Sequence, residues 1–138
     1  MRRHVLTVFV LVGFTLAVSA GAAEAVTVTG MQNPQFRVTV TITPNHPVVG
    51  DTVVATVKIV NRTRHNHRGE WEVGWSTPEF GISAALANQL FRPGVVLTDR
   101  EHAKVTADTP AGSYTISASI KDRSKGRSHA SASVRFTP

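Results

Sequence analysis

Period-two alternation runs from residue 36 nearly to the end of this chain, and it constrains the fold more than any other feature. In Phe36-Arg37-Val38-Thr39-Val40-Thr41-Ile42 every second residue is apolar and those between are Arg or Thr. Val53, Ala55, Val57 and Ile59 repeat the pattern, and Trp71, Val73 and Trp75 repeat it within Glu70–Trp75. Tyr114–Ile120 and Ala130–Phe136 complete five clear strands. Successive strand side chains point to opposite faces, so each run has one face to bury and one to wet. Antiparallel sheets packed on one side have this pattern, and the Val, Ile and Thr content agrees with strand propensity.

Turn residues fall between the runs: Pro44-Asn45-His46-Pro47 with Gly50-Asp51, the stretch 61–69, Pro110-Ala111-Gly112, and Ser124-Lys125-Gly126. The stretch 77–102 is the least legible. Ser83–Leu90 fits a helical turn or an edge strand, and Arg92-Pro93-Gly94 a turn, while 95–97 and 103–107 read as two more short strands. About seven strands at this spacing predict an all-β antiparallel sandwich over 36–138. Residues 26–35 precede it as a linker or N-terminal edge strand.

The 138 residues include no Cys, so disulfides, thiolate metal sites and a Cys nucleophile are all excluded. A single domain of this length holds itself by packing and ladder hydrogen bonds. With 41% hydrophobic and 17% charged residues, the chain is built to fold.

The N-terminus reads as an export signal. Met1-Arg2-Arg3-His4 is positive, Val5–Val18 carries no charge, and Ser19-Ala20-Gly21-Ala22-Ala23-Glu24-Ala25 is a small-residue run. This is the tripartite secretory pattern, a signal-peptide helix over 1–25. The apolar part is shorter than the ~20 residues of a spanning helix, so no permanent membrane span is expected after cleavage. Cleavage is placed after Ala25, with Ala20 and Ala23 as alternatives. The Arg2-Arg3 pair is also the minimal feature of a twin-arginine signal. The expected location is secreted or periplasmic.

Pro47-x-x-Gly50-Asp51-x-Val53-x-Ala55-x-Val57-x-Ile59-x-Asn61 resembles the first half of bacterial extracellular immunoglobulin-like domains. Arg92-Pro93-Gly94 and Thr109–Ile116 are similar to their second half. The resemblance covers about 36–137 and implies an immunoglobulin-like β-sandwich, a small secreted family with mostly unassigned functions. Asp108…Gly112-x-Tyr114 resembles the tyrosine corner of such domains, in which the ring enters the core and the hydroxyl bonds nearby backbone. The resemblance also implies a core built on Trp71, Trp75, Tyr114, Ile116 and Phe136, with Ile116 where antibody domains have a Cys.

Two basic segments stand out, Arg62-Thr63-Arg64-His65-Asn66-His67-Arg68 and Lys121–His129. In an immunoglobulin-like sandwich the B–C and F–G loops emerge at one end. The resemblance therefore implies one positive surface made of Arg62, Arg64, Arg68, Arg123, Lys125 and Arg127, with Asp122 its only acid. Guanidinium forks suit phosphate and carboxylate. The expected partner is a protein or an anionic envelope polymer; without a recognition helix or stacking aromatics, nucleic acid is not expected.

His65 and His67 are candidate metal ligands with no third ligand in the segment, and flanking Arg opposes a cation there. A metal-binding periplasmic protein is the second reading, and a structural or adhesive domain is the third. Asn61-Arg62-Thr63 fits the glycosylation acceptor pattern, which has meaning only in a eukaryotic secretory host. Glu70 and Glu72 share a strand face about 7 Å apart, but on an outer face they have no pocket to work in. No nucleophile elbow, phosphate-binding glycine loop or zinc-protease helix occurs. The expectation is a non-enzymatic binding module with no cofactor.

Overall fold

The computed structural model describes residues 24–76, 80, 84–123 and 126–138. Most of the proposed signal sequence, residues 1–23, and Lys125 of the basic segment lie outside the described residues. Eight strands follow one another: β1 (Val26–Gly30), β2 (Phe36–Thr43), β3 (Thr52–Asn61), β4 (His67–Trp75), β5 (Ala84–Phe91), β6 (Gly94–Lys104), β7 (Gly112–Asp122) and β8 (Gly126–Phe136). They form two antiparallel four-stranded sheets, ordered β1-β2-β3-β6 and β5-β4-β7-β8. Among the described residues no helix is long and apolar enough to cross a membrane.

The alternating positions become the core. Val38, Val40 and Ile42 of β2 and Val53, Ala55, Val57 and Ile59 of β3 face Val73 and Trp75 of β4, Ile116 and Ile120 of β7, and Val134 and Phe136 of β8, all buried. Burying each large aliphatic side chain stabilises the fold by roughly 1.5–3 kcal/mol, enough in aggregate to dispense with cross-links. Tyr114 is buried with its ring on Phe80, and its hydroxyl donates to the Pro110 carbonyl at 2.5 Å. Trp71 lies partly buried against this core.

One reading of the sequence changes, and two open alternatives resolve to edge strands. The segments 95–97 and 103–107 do not form separate strands: Gly94–Lys104 is one strand paired with β3 along its length, and Val105 follows it as a buried residue. A register shift at Ile59/Val60 breaks the alternation of Val95-Val96-Leu97. Ala84–Phe91 is an edge strand with no helical turn; both of its faces meet water, so pairing with β4 sets its conformation and its sequence shows no period. Val26–Gly30 is also an edge strand, raising the total to eight.

One flank of the two sheets is closed and the other open. On the closed flank a Cβ at Gly30 would collide with the His129 carbonyl, so only glycine permits that approach of β1 to β8. Ser128, fully buried, shares its one hydroxyl proton between the Asn33 and Phe36 carbonyls, 2.9 and 3.0 Å from Oγ, and accepts from the Asn33 amide at 3.0 Å. On the open flank the edges are β5 and β6. There Asp99 and Glu101 lie opposite the buried Val57 and Ala55, and so point inward. Inward charges on an edge strand discourage pairing with another chain.

Candidate functional site

Antiparallel pairing sets Phe36, Asn61, His67, Phe91, Gly94, Asp122 and Gly126 at one end of the molecule. Connections that leave this end carry exposed arginines: Arg62 and Arg64 between β3 and β4, Arg92 between β5 and β6, and Arg123 between β7 and β8. Arg92 escaped the sequence reading because it lies in a separate turn, whose placement needed the true extent of β5 and β6. Arg68 and Arg127 belong to strands, and both are exposed on the outer face of the second sheet. The six candidates thus divide into Arg62, Arg64 and Arg123 at the end, Arg68 and Arg127 on the adjoining sheet face, and Lys125 outside the described residues.

A buried polar network shapes this end. Asn61 terminates β3, where its amide donates to the His65 and Phe91 carbonyls at 2.9 and 3.1 Å. Its Oδ1 accepts from the Thr63 amide at 3.0 Å and the Thr63 hydroxyl lies 2.8 Å away, closing a turn of the kind Asn favours. One side chain therefore ties the Arg62–Arg64 loop to the strand that leads into Arg92. Arg62 reaches the Pro34 carbonyl at 3.3 Å, adding the β1–β2 turn.

Beneath the loop, His67 Nδ1 lies 2.7 Å from the Asp122 carboxylate and His67 Nε2 lies 2.9 Å from the Thr63 hydroxyl. The imidazole packs edge-on against Phe36, which meets Phe91 in the same way. Carboxylate, imidazole and hydroxyl stand in the order of an acid–base relay. The hydroxyl is already surrounded, however, by Asn61 Oδ1, the His65 carbonyl at 3.0 Å and the His65 amide at 3.2 Å. With these contacts Thr63 anchors the loop to its own backbone and to Asn61.

Both ring nitrogens of His67 are thus engaged, while His65 is exposed. Among the described residues no group of three or more His, Asp or Glu could hold a metal ion. Glu70 and Glu72 are exposed on the outer face, with Glu70 3.9 Å from Arg127.

The inward acids are the pair the sequence reading missed. Burial, and then the neighbouring charge of Asp99, raises the Glu101 carboxyl above its ordinary value, and the Trp75 indole acts against the rise. Trp75 Nε1 and Glu101 Oε2 are both buried without closing a hydrogen bond of good geometry.

The outer face of the second sheet carries shallow hollows. One of about 310 Å³ is lined by Gly69, Glu70, Ala87, Asn88, Lys121, Asp122 and Arg123. Another, of about 450 Å³, includes Ser117, Ser119, Arg127, His129 and Ser131. Compared with known proteins, the chain matches no family model and no curated sequence.

Proposed function

We propose that this chain is an exported immunoglobulin-like domain that acts by binding, without catalysis, and that its arginine-bearing end engages an anionic polymer of the cell envelope. The convergence of Arg62, Arg64, Arg92 and Arg123 on connections at one end carries this reading. Asp122, which ends β7 just before Arg123, is buried beside His67 beneath these arginines. Such a field attracts polyanions and speeds their encounter.

The strand order supports the immunoglobulin-like assignment. β3 and β6 share one sheet while β4, β7 and β8 share the other, and the Tyr114–Pro110 bond has the form of the tyrosine corner. Export rests on the N-terminal pattern of charge, apolar run and small residues.

The reading predicts salt-dependent retention on a heparin resin, weakened when Arg64 and Arg123 are both replaced by Glu. Unchanged retention in a folded double variant would rule it out. An adhesive role is favoured by a different observation: β5 is an edge strand without a charged residue, and exposes Leu86 and Leu90. That role requires self-association that rises with concentration in sedimentation and disappears in Leu86→Lys.

A further inference from the structure

We propose that the hollow between β4, β5 and β7 is a subsite for one oxyanionic group of an acidic polysaccharide, with Arg123 and Lys121 as its cationic contacts. This deepens the binding reading above and rests on it.

The hollow is made by an irregularity in β5. Between the pairs Gly69–Gln89 and Trp71–Leu86, β5 spends one residue more than β4, and Asn88 takes up the excess at φ 57°. A left-handed non-glycine residue in a bulge is a local cost, and such bulges often re-aim a side chain. Here Asn88 Oδ1 accepts a hydrogen bond from Arg123 Nη2 at 2.6 Å, fixing that guanidinium beside the hollow. The Arg123 amide also donates to the Arg68 carbonyl at 3.1 Å, so the backbone is held as well. A Cβ at Gly69 would strike the Lys121 carbonyl, so glycine is needed for the close packing of β4 on β7 at the hollow floor.

Charge placement points the same way. Lys121 and Arg127 lie directly opposite each other on β7 and β8, an arrangement that costs stability. A fold usually tolerates such a conflict where function uses it. Two acids line the hollow. Asp122 turns its carboxylate inward to His67, and Glu70 lies 3.9 Å from Arg127. Glu70 also stands directly opposite Lys121, so it offsets part of the repulsion, and an oxyanion beside Lys121 and Arg123 would offset more.

The same face also indicates the rest of the ligand. Ser117, Ser119 and Ser131 line the second hollow of this face together with Arg127 and Glu72, and Thr115 and Ser133 continue the hydroxyls with a 2.7 Å contact. Small hydroxyl side chains around this hollow suit a polyhydroxylated chain, and His129 is the one exposed ring among its lining residues.

A charge-neutral variant tests the subsite. Asn88→Gly keeps the left-handed conformation at no steric cost and removes only the acceptor that holds Arg123. The probe is a heparin octasaccharide, titrated by calorimetry and by amide shifts. Asn88→Gly is expected to weaken binding about tenfold and to make it less salt-dependent by about one ionic contact, as loss of one fixed charge-assisted contact implies. Ala87→Trp, which fills the hollow, is expected to do the same, and wild-type shifts should centre on Gly69, Ala87 and Lys121.

Unchanged affinity in both variants, with shifts confined to 62–66, would overturn the subsite while leaving the basic end as the binding surface. Loss of the broader reading looks different: neither Arg64→Glu nor Arg123→Glu then alters binding. Equal affinity for an oligothymidylate of matched charge, with the same dependence on Asn88, would overturn the polysaccharide assignment.

Discussion

His67 and Asp122 meet at 2.7 Å beneath the arginine-bearing end, the histidine on the first residue of β4 and the aspartate on the last of β7. Their contact turns two strand termini into one rigid platform for the Arg62–Arg64 loop. Breaking it by Asp122→Ala strands a largely buried imidazole and is expected to cost about 3 kcal/mol in denaturant unfolding. His67→Ala should cost a similar amount, and the double variant less than the sum, since the pair acts as one unit. Additive losses below about 0.5 kcal/mol each would mean that the platform does not depend on this pair.

Glu101 predicts a pH dependence of known sign. Its carboxyl is raised in the folded protein, so the native state holds a proton at pH values where the unfolded chain has released it. The stability it contributes is present at acid pH and is lost as pH rises from the unfolded value through the folded one. Glu101→Gln should therefore stabilise the protein at pH 7, with the gain vanishing toward pH 3. A gain that is constant across that range would contradict the account.

Tyr114→Phe isolates the corner. It removes the hydroxyl bond to Pro110 and leaves the ring packed on Phe80, so a loss of about 1 kcal/mol is expected by thermal or denaturant unfolding. No loss would show that the bond contributes nothing beyond ring burial.

Trimming the chain to Glu24 or to Val26 has a measurable consequence. The Glu24 carbonyl accepts from the Asn45 amide at 2.9 Å and from the Thr43 hydroxyl at 3.4 Å. A chain beginning at Glu24 keeps those bonds, whereas one beginning at Val26 loses them. The longer chain should be more stable by about 1 kcal/mol, and equal stability would contradict it.

Much of the molecule could be read from alternation, and its failures are instructive. The five runs with an intact period became β2, β3, β4, β7 and β8, because burial on one face imposes the period on the sequence. The edges β5 and β6 were read only in part, β5 as one of two alternatives and β6 as two short strands, since a strand exposed on both faces, or carrying inward Asp99 and Glu101, has no such period to show. The pattern held more than was drawn from it. Continuing Tyr114-Ile116-Ala118-Ile120 by two residues reaches Asp122, and stepping back from Trp71 through Gly69 reaches His67, so both belonged on the inner face from the start. Ser128 follows in the same way from Ala130. Arg92 and the Asn88 bulge were beyond such reasoning, because each depends on which strands neighbour one another.

The central claim, that the arginine-bearing end captures an anionic polymer, is tested most directly by titrating a heparin octasaccharide into wild type and into Arg64→Glu/Arg92→Glu. Both proteins would be measured across a series of salt concentrations, after circular dichroism has shown the variant folded. Wild type should bind, with affinity falling steeply as salt screens the contact, and at about 0.15 M salt the variant should bind at least tenfold more weakly. Equal affinity of the two proteins at every salt concentration would contradict it.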